Sequence, residues 1–144
     1  MEYLSYKQLE IVEDMLLQIK GAILDVQKWN ENVSSADDWL SSPDGMKTLA
    51  ASCMLIEAIG EGFRKLNDKT GKQLLPFRPE IPWRDVIGMR NHLAHGYFDI
   101  NTDLVLDVIQ NDLSPLLEAT DYFLKHLFEL LPVDDDTLPN RQLK

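Results

Sequence analysis

The stretch RNHLAHGYF, Arg90 to Phe98, gathers an arginine, an asparagine, two of the chain's three histidines and a tyrosine. A histidine gives and takes protons near neutrality, and the planar donor fork of an arginine fits a phosphate. The group therefore reads as a place where protons could move beside an anion. Other chemistries find less support. His92 and His95 have the HxxH spacing of a shared metal, but no third ligand lies nearby in sequence. Serine and cysteine nucleophile motifs are absent, as is any glycine-rich phosphate loop.

The elements that must position these residues read as helices. Leu9, Val12, Leu16, Ile19, Ile23 and Val26 recur at alternating spacings of three and four, which predicts an amphipathic helix of about six turns. Trp39 and Leu40 should then tuck a short turn against the bundle. Ser42 followed by Pro43 looks like an N-cap with proline at the first helical position. It opens a second helix from about Gly45 to Asn67, with Leu49, Cys53, Ile56, Ile59, Phe63 and Leu66 on one arc. Gly60 and Gly62 would let another helix approach closely.

Gly71, Pro76 and Pro79 mark a loop. A third helix is predicted over Pro82 to His95, stopped by Gly96 in a left-handed conformation. The last helical region begins near the candidate caps Asn101 and Thr102 and reaches about Leu131. Pro115 should kink or break it, with Ser114 available to cap a restart. No segment alternates like a strand. The expectation is an all-α, up-and-down four-helix bundle over residues 1–131, followed by a flexible tail over 132–144.

On the third helix Trp83, Val86, Ile87, Met89, Leu93, Ala94 and Tyr97 form an apolar arc, and Arg90 falls in its middle. A buried arginine needs a partner. Either a carboxylate of the second helix pairs with it, Glu61 first and Glu57 second, or the arc opens on a cleft where Arg90 meets a phosphate. The two are compatible if the ion pair holds the fork. Asn91 and His95 lie one turn apart on the polar flank, with His95 in the last turn, where helix-end carbonyls favour a cationic ring.

The net charge of −10 argues against a polyanionic partner. Yet the window from Gly62 to His92 has a net charge of +4, leaving −14 for the remainder. Charge alone favours a solvated loop over a binding patch. The lone Cys53 sits on an apolar stripe and reads as a small buried hydrophobe. No apolar run approaches the roughly 20 residues that cross a bilayer, and no basic-then-apolar leader opens the chain. A protein of the cytoplasm without a membrane partner is expected.

The segment RNHLAHGY resembles the R-x4-H-x-Y motif of the HEPN superfamily, with Arg90, His95 and Tyr97 in the motif positions. IEAIGEGFRKL and IPWRDVIGMRNHLAHGYF resemble the HepT-like branch more narrowly, and the resemblance runs from about Tyr6 to Leu131. It implies a metal-independent, cofactor-free ribonuclease toxin acting on RNA. It also implies a homodimer with facing motifs and a minimal nucleotidyltransferase antitoxin that transfers AMP to Tyr97. Cleaving RNA without metal needs a base for the 2′-OH, an acid for the 5′-oxygen and positive charge on the phosphorane. Two His95 and two Arg90 across a two-fold axis would supply these, with Asn91 orienting His95 or donating to a phosphate oxygen. The rival expectation is a non-catalytic helical module that binds a nucleotidyltransferase.

Overall fold

The expected stripe from Leu9 to Val26 is buried along α1 (Tyr6–Trp29). Ser5 starts this helix: its hydroxyl accepts from the Gln8 amide while the Gln8 side chain accepts from the Ser5 amide. The structure is a computed structural model that describes residues 3–139, and every side chain among them except that of Arg90. After α1 comes α2 (Asp37–Leu40), which buries Trp39 completely and leaves Leu40 facing solvent, so only one of the two residues expected to tuck in does so. Helix α3 (Pro43–Lys69) begins at the Ser42–Pro43 cap, where the Gly45 amide donates to the Ser42 hydroxyl at 3.0 Å. It runs two residues further at each end than the periodicity predicts.

A buried polar network ties these three helices. Trp39 Nε1 donates to Asn30 Oδ1 at 2.8 Å, and Asn30 Nδ2 donates to Ser52 Oγ and to the Val26 carbonyl, each at 2.8 Å. Asn30 takes the next position of the α1 stripe, four residues after Val26, and as a buried polar residue there it needs these partners.

The third helical segment differs from the expected Pro82–His95. It splits into α4 (Trp83–Gly88) and α5 (Arg90–Leu93), with Met89 as a turn between them. The last segment is α6 (Thr102–Asp107), a π turn over Val108–Asp112 and α7 (Leu113–Leu130). The side chain of Asn101 caps α6 by accepting from the Leu104 amide, as its position suggests.

The interruption expected at Pro115 falls upstream of it. The Leu113 amide donates to the Val108 carbonyl, five residues back, and Pro115 sits in the first turn of α7, where no amide hydrogen is required. Ser114 does not cap; its hydroxyl accepts from Gln27 Nε2 on α1 at 3.3 Å.

Contacts between the segments show the expected up-and-down order. On α1 and α3, Ile19 meets Gly62 and Asn30 meets Ser52. On α1 and α7, Tyr6 meets Phe128, and Lys20 pairs with Asp121 at 2.8 Å. On α3 and α4, Phe63 meets Trp83, and Gly60 faces the Val86 carbonyl. Each pairing runs in opposite senses along the two helices. Both helix glycines serve close approach: a Cβ on Gly60 would lie 2.8 Å from the Val86 oxygen, and one on Gly62 would lie 2.9 Å from Ile19 Cγ1.

Arg78 anchors the loop between α3 and α4. It pairs with Glu80 at 2.9 Å and with Glu118 of α7 at 3.2 Å, and lies 5.1 Å from the centre of the Tyr122 ring. The first part of the expected tail is held as well. Leu4 bridges to Val133, the Asp134 amide donates to the Leu4 carbonyl at 2.8 Å, and the Tyr6 amide donates to Thr137 Oγ1 at 2.7 Å. Residues 140–144 lie outside the described residues. No described helix is long and apolar enough to cross a membrane.

Candidate active site

The motif histidine stands on a loop, not on a helix. Helix α5 ends at Leu93, whose carbonyl accepts from the Asn101 amide at 2.8 Å. Ala94 is extended, at φ −161° and ψ 149°, and bridges to Ile100. Inside this closure the His95 amide donates to the Asp99 carbonyl at 2.9 Å and the Asp99 amide to the Gly96 carbonyl at 3.1 Å. Gly96 has φ +117°, which its lack of a Cβ permits. Gly96 thus has the positive φ expected of it, but it does not stop the helix: it stands three residues past Leu93, inside a loop that begins at Ala94.

Three expectations change with that geometry. His95 is not in a last helical turn, so helix-end carbonyls do not surround it as the sequence suggests. Asn91 and His95 no longer share a helical flank. Tyr97 leaves the apolar arc and is 54% exposed. Its neighbour Phe98, which the motif does not include, is 99% exposed, with the two rings 5.3 Å apart and nearly perpendicular.

Two openings lie at this end of the motif, one lined by α5 residues and one by the loop. The larger, about 900 Å³, lies between the α4–α5 segment and the π turn, and Asn91, His92 and Arg84 line it together with Glu80, Asp85 and Asp112. Burial pushes the Asp112 carboxyl above its usual range, and the nearby Asp107 charge adds to this. The smaller, about 370 Å³, is bounded by α3 and the loop, with Glu57, Cys53 and Met54 opposite Tyr97 and Ile100. His95 and Tyr97 are therefore brought together on one loop, and Tyr97 and Glu57 on one cavity, whereas Asn91 lines the other opening.

Glu61 is engaged by its own helix: Arg64 Nε donates to both of its carboxylate oxygens at 3.1 Å and Arg64 Nη1 reaches Asp68 at 3.2 Å. The expected pairing of Arg90 with Glu61 or Glu57 falls on a side chain outside the described residues. In the basic window Arg64 and Arg78 are matched by carboxylates, while Lys65, Lys69, Lys72 and Arg84 are exposed. Among the described residues no three His, Cys, Asp or Glu side chains converge as metal ligands would. Cys53 is buried as expected, and burial, with the Glu57 charge, pushes its thiol up to about 11.

Sequence reasoning passed over Phe98 and Asn30. Phe98 had a cue, since an aromatic just past a glycine stop leaves the helical arc. Asn30 had one too, its place four residues after Val26 in the α1 stripe.

Comparison with known proteins completes the picture. Residues 7–123 match the family model described as "Ribonuclease HepT-like". The chain is 27% identical over 104 residues to "Probable ribonuclease HepT" of Thermococcus cleftensis, covering 72% of this chain and 87% of that protein. It is 33% identical over 57 residues to "Putative RNase MJ1380" of Methanocaldococcus jannaschii, covering 40% of this chain and 49% of the relative. It is also 26% identical over 81 residues to "Putative RNase MJ0127" of the same organism, covering 56% of this chain and 64% of the relative. The match to these two proteins thus spans about half and just under two thirds of their length. No solved structure matches the chain.

Proposed function

The chain belongs to the HepT-like ribonuclease family, and we propose that it is a metal-independent endoribonuclease toxin, silenced by a small nucleotidyltransferase antitoxin that transfers AMP to Tyr97. The observation that carries this reading is the pairing of His95 and Tyr97 on one hydrogen-bonded loop, directly after the short helix that bears Arg90.

In the proposed reaction the His95 imidazole takes the proton of a ribose 2′-OH, and the 2′-oxygen attacks the adjacent phosphorus. The bond from phosphorus to the 5′-oxygen breaks, and that oxygen takes a proton from the imidazolium of a second His95. The products are a 2′,3′-cyclic phosphate and a 5′-hydroxyl end. One chain has one His95, so a two-fold homodimer with facing loops supplies base and acid together. Arg90 offsets charge on the phosphorane, with Glu61 or Glu57 holding its fork, and Asn91 orients the imidazole or donates to a phosphate oxygen.

No cofactor takes part. An AMP group on the exposed Tyr97 would add bulk and negative charge where a phosphate arrives. The proposed setting is the cytoplasm, where RNA is at hand.

The test is incubation of purified protein with total RNA in EDTA, followed by mapping of fragment ends. Fragments with 2′,3′-cyclic phosphate ends are expected, and His95→Ala or Arg90→Ala should remove them. Cleavage that survives His95→Ala, or that needs a divalent metal, would overturn the assignment. For the switch, incubation with the partner enzyme and ATP should add AMP to Tyr97 by mass spectrometry; adducts confined to other residues would sink it.

A further inference from the structure

Phe98 has 99% of its surface in water, more than any other large apolar side chain among the described residues. Such exposure on a loose loop would call for no explanation. This loop is closed, however, by the donation from Asn101 to Leu93, by the Ala94–Ile100 bridge and by the His95–Asp99 and Asp99–Gly96 hydrogen bonds. The ring is therefore held out at the tip of a fixed turn. Among the described residues the only aromatic ring it meets is that of Tyr97, nearly perpendicular to it, and at 99% exposure its flat faces are open to solvent.

We propose that Phe98 is a stacking platform for an unpaired nucleobase of the RNA, seated beside the His95 that cuts it, so that the substrate is single-stranded at the cut. The inference rests on the ribonuclease reading above and deepens it. Attack by a 2′-OH requires the 2′-oxygen, the phosphorus and the leaving 5′-oxygen to come into line, which a regular A-form helix prevents. One nucleotide must swing out of its stack, and a flat apolar face on the protein replaces the contacts it loses.

Phe98 lies three residues past His95, within reach of a neighbouring nucleotide. An apolar ring offers a phosphate no donor and no charge, so the ring meets a base and not the backbone.

The proposed dimer brings a second copy towards this loop, and burial of the ring against that copy is the competing use of Phe98. The rings of Phe98 and Tyr97 with Met54 offer on the order of a few hundred Å² of apolar surface, short of the roughly 800 Å² per partner of a stable interface. These three side chains therefore cannot by themselves make the dimer interface, and the small, fixed shape of the ring suits a base.

The experiment uses full-length protein with His95→Ala, so that RNA is held and not cut. Binding of an unstructured oligoribonucleotide is compared for this parent and for the same chain with Phe98→Ala or Phe98→Trp. Phe98→Ala should weaken binding by roughly 5- to 100-fold. Phe98→Trp should retain it, with indole emission quenched as RNA is added, and the same sequence as a duplex should show no dependence on the ring. In the cutting enzyme, Phe98→Ala should raise KM by a similar factor, more than it lowers kcat. Equal binding by parent and Phe98→Ala, or no binding of RNA by either, overturns the proposal. So does dissociation of a dimer by Phe98→Ala in sedimentation velocity, which would give the ring to a second copy. Failure of the ribonuclease reading looks different: the wild-type protein leaves RNA intact, while the binding comparison still reports on Phe98.

Discussion

The amide of His95 donates to the carbonyl of Asp99, four residues ahead, at 2.9 Å. In an α-helix the donation runs the other way, from the later residue to the earlier one. The motif histidine is thus placed by a reverse turn closed on itself, and its position depends on the loop's own conformation more than on the helix before it.

Gly96 is where that dependence can be probed. Its φ of +117° strains any other residue, yet a Cβ there would meet nothing within 4 Å. Gly96→Ala should cost about 1–2 kcal/mol through backbone strain alone and lower RNA cleavage by turning His95 and Tyr97 away. Thermal melts and cleavage rates check both parts; full activity in the alanine variant would show that the loop does not need this conformation.

Gly60 controls the loop from further away. Adding a Cβ 2.8 Å from the Val86 carbonyl forces α4, and with it α5, off α3. Gly60→Ala should destabilise the protein by about 1–3 kcal/mol. Denaturant unfolding measures this, and a midpoint equal to that of the parent would contradict the close contact.

Asn30 is the buried polar hinge of the fold. Asn30→Leu strands the Trp39 indole N–H, and removes a donor from Ser52. The expected loss is about 2–4 kcal/mol, beyond that of a typical exposed substitution. Urea unfolding at constant m would report it; a loss under about 0.5 kcal/mol would mean that the network adds nothing.

Cys53 links stability to pH. Its thiol ionises at about 11 in the folded protein against 9.0 for a free thiol, chiefly because of burial. Below pH 9 both states keep the proton and the full contribution is present. Between 9 and 11 the unfolded chain releases it first, so stability should fall with rising pH there, and less so in Cys53→Ser. Identical pH profiles for the two proteins would refute the assignment. Alkylation of native Cys53 near neutrality should also be slow.

Much of this protein is legible along the chain because helical order is local. The stripe from Leu9 to Val26, the Ser42–Pro43 start, the Asn101 cap and the two close-packing glycines each rest on spacings within one or two turns. So does the family resemblance carried by Arg90, His95 and Tyr97, which the match over residues 7–123 supports. The tertiary structure decided what depends on competition between distant groups. The Leu93 carbonyl could have continued the helix with the Tyr97 amide, but the Asn101 amide takes it, and that one exchange moves His95 and Tyr97 onto a loop. The missing amide of Pro115 is accommodated by a wide turn upstream, not by a break at the proline. Asn30 falls in register with the α1 stripe, but the groups that satisfy its amide, Trp39 and Ser52, arrive from other elements. A periodicity reports which face of a helix is apolar; it does not report which of two donors a carbonyl will accept.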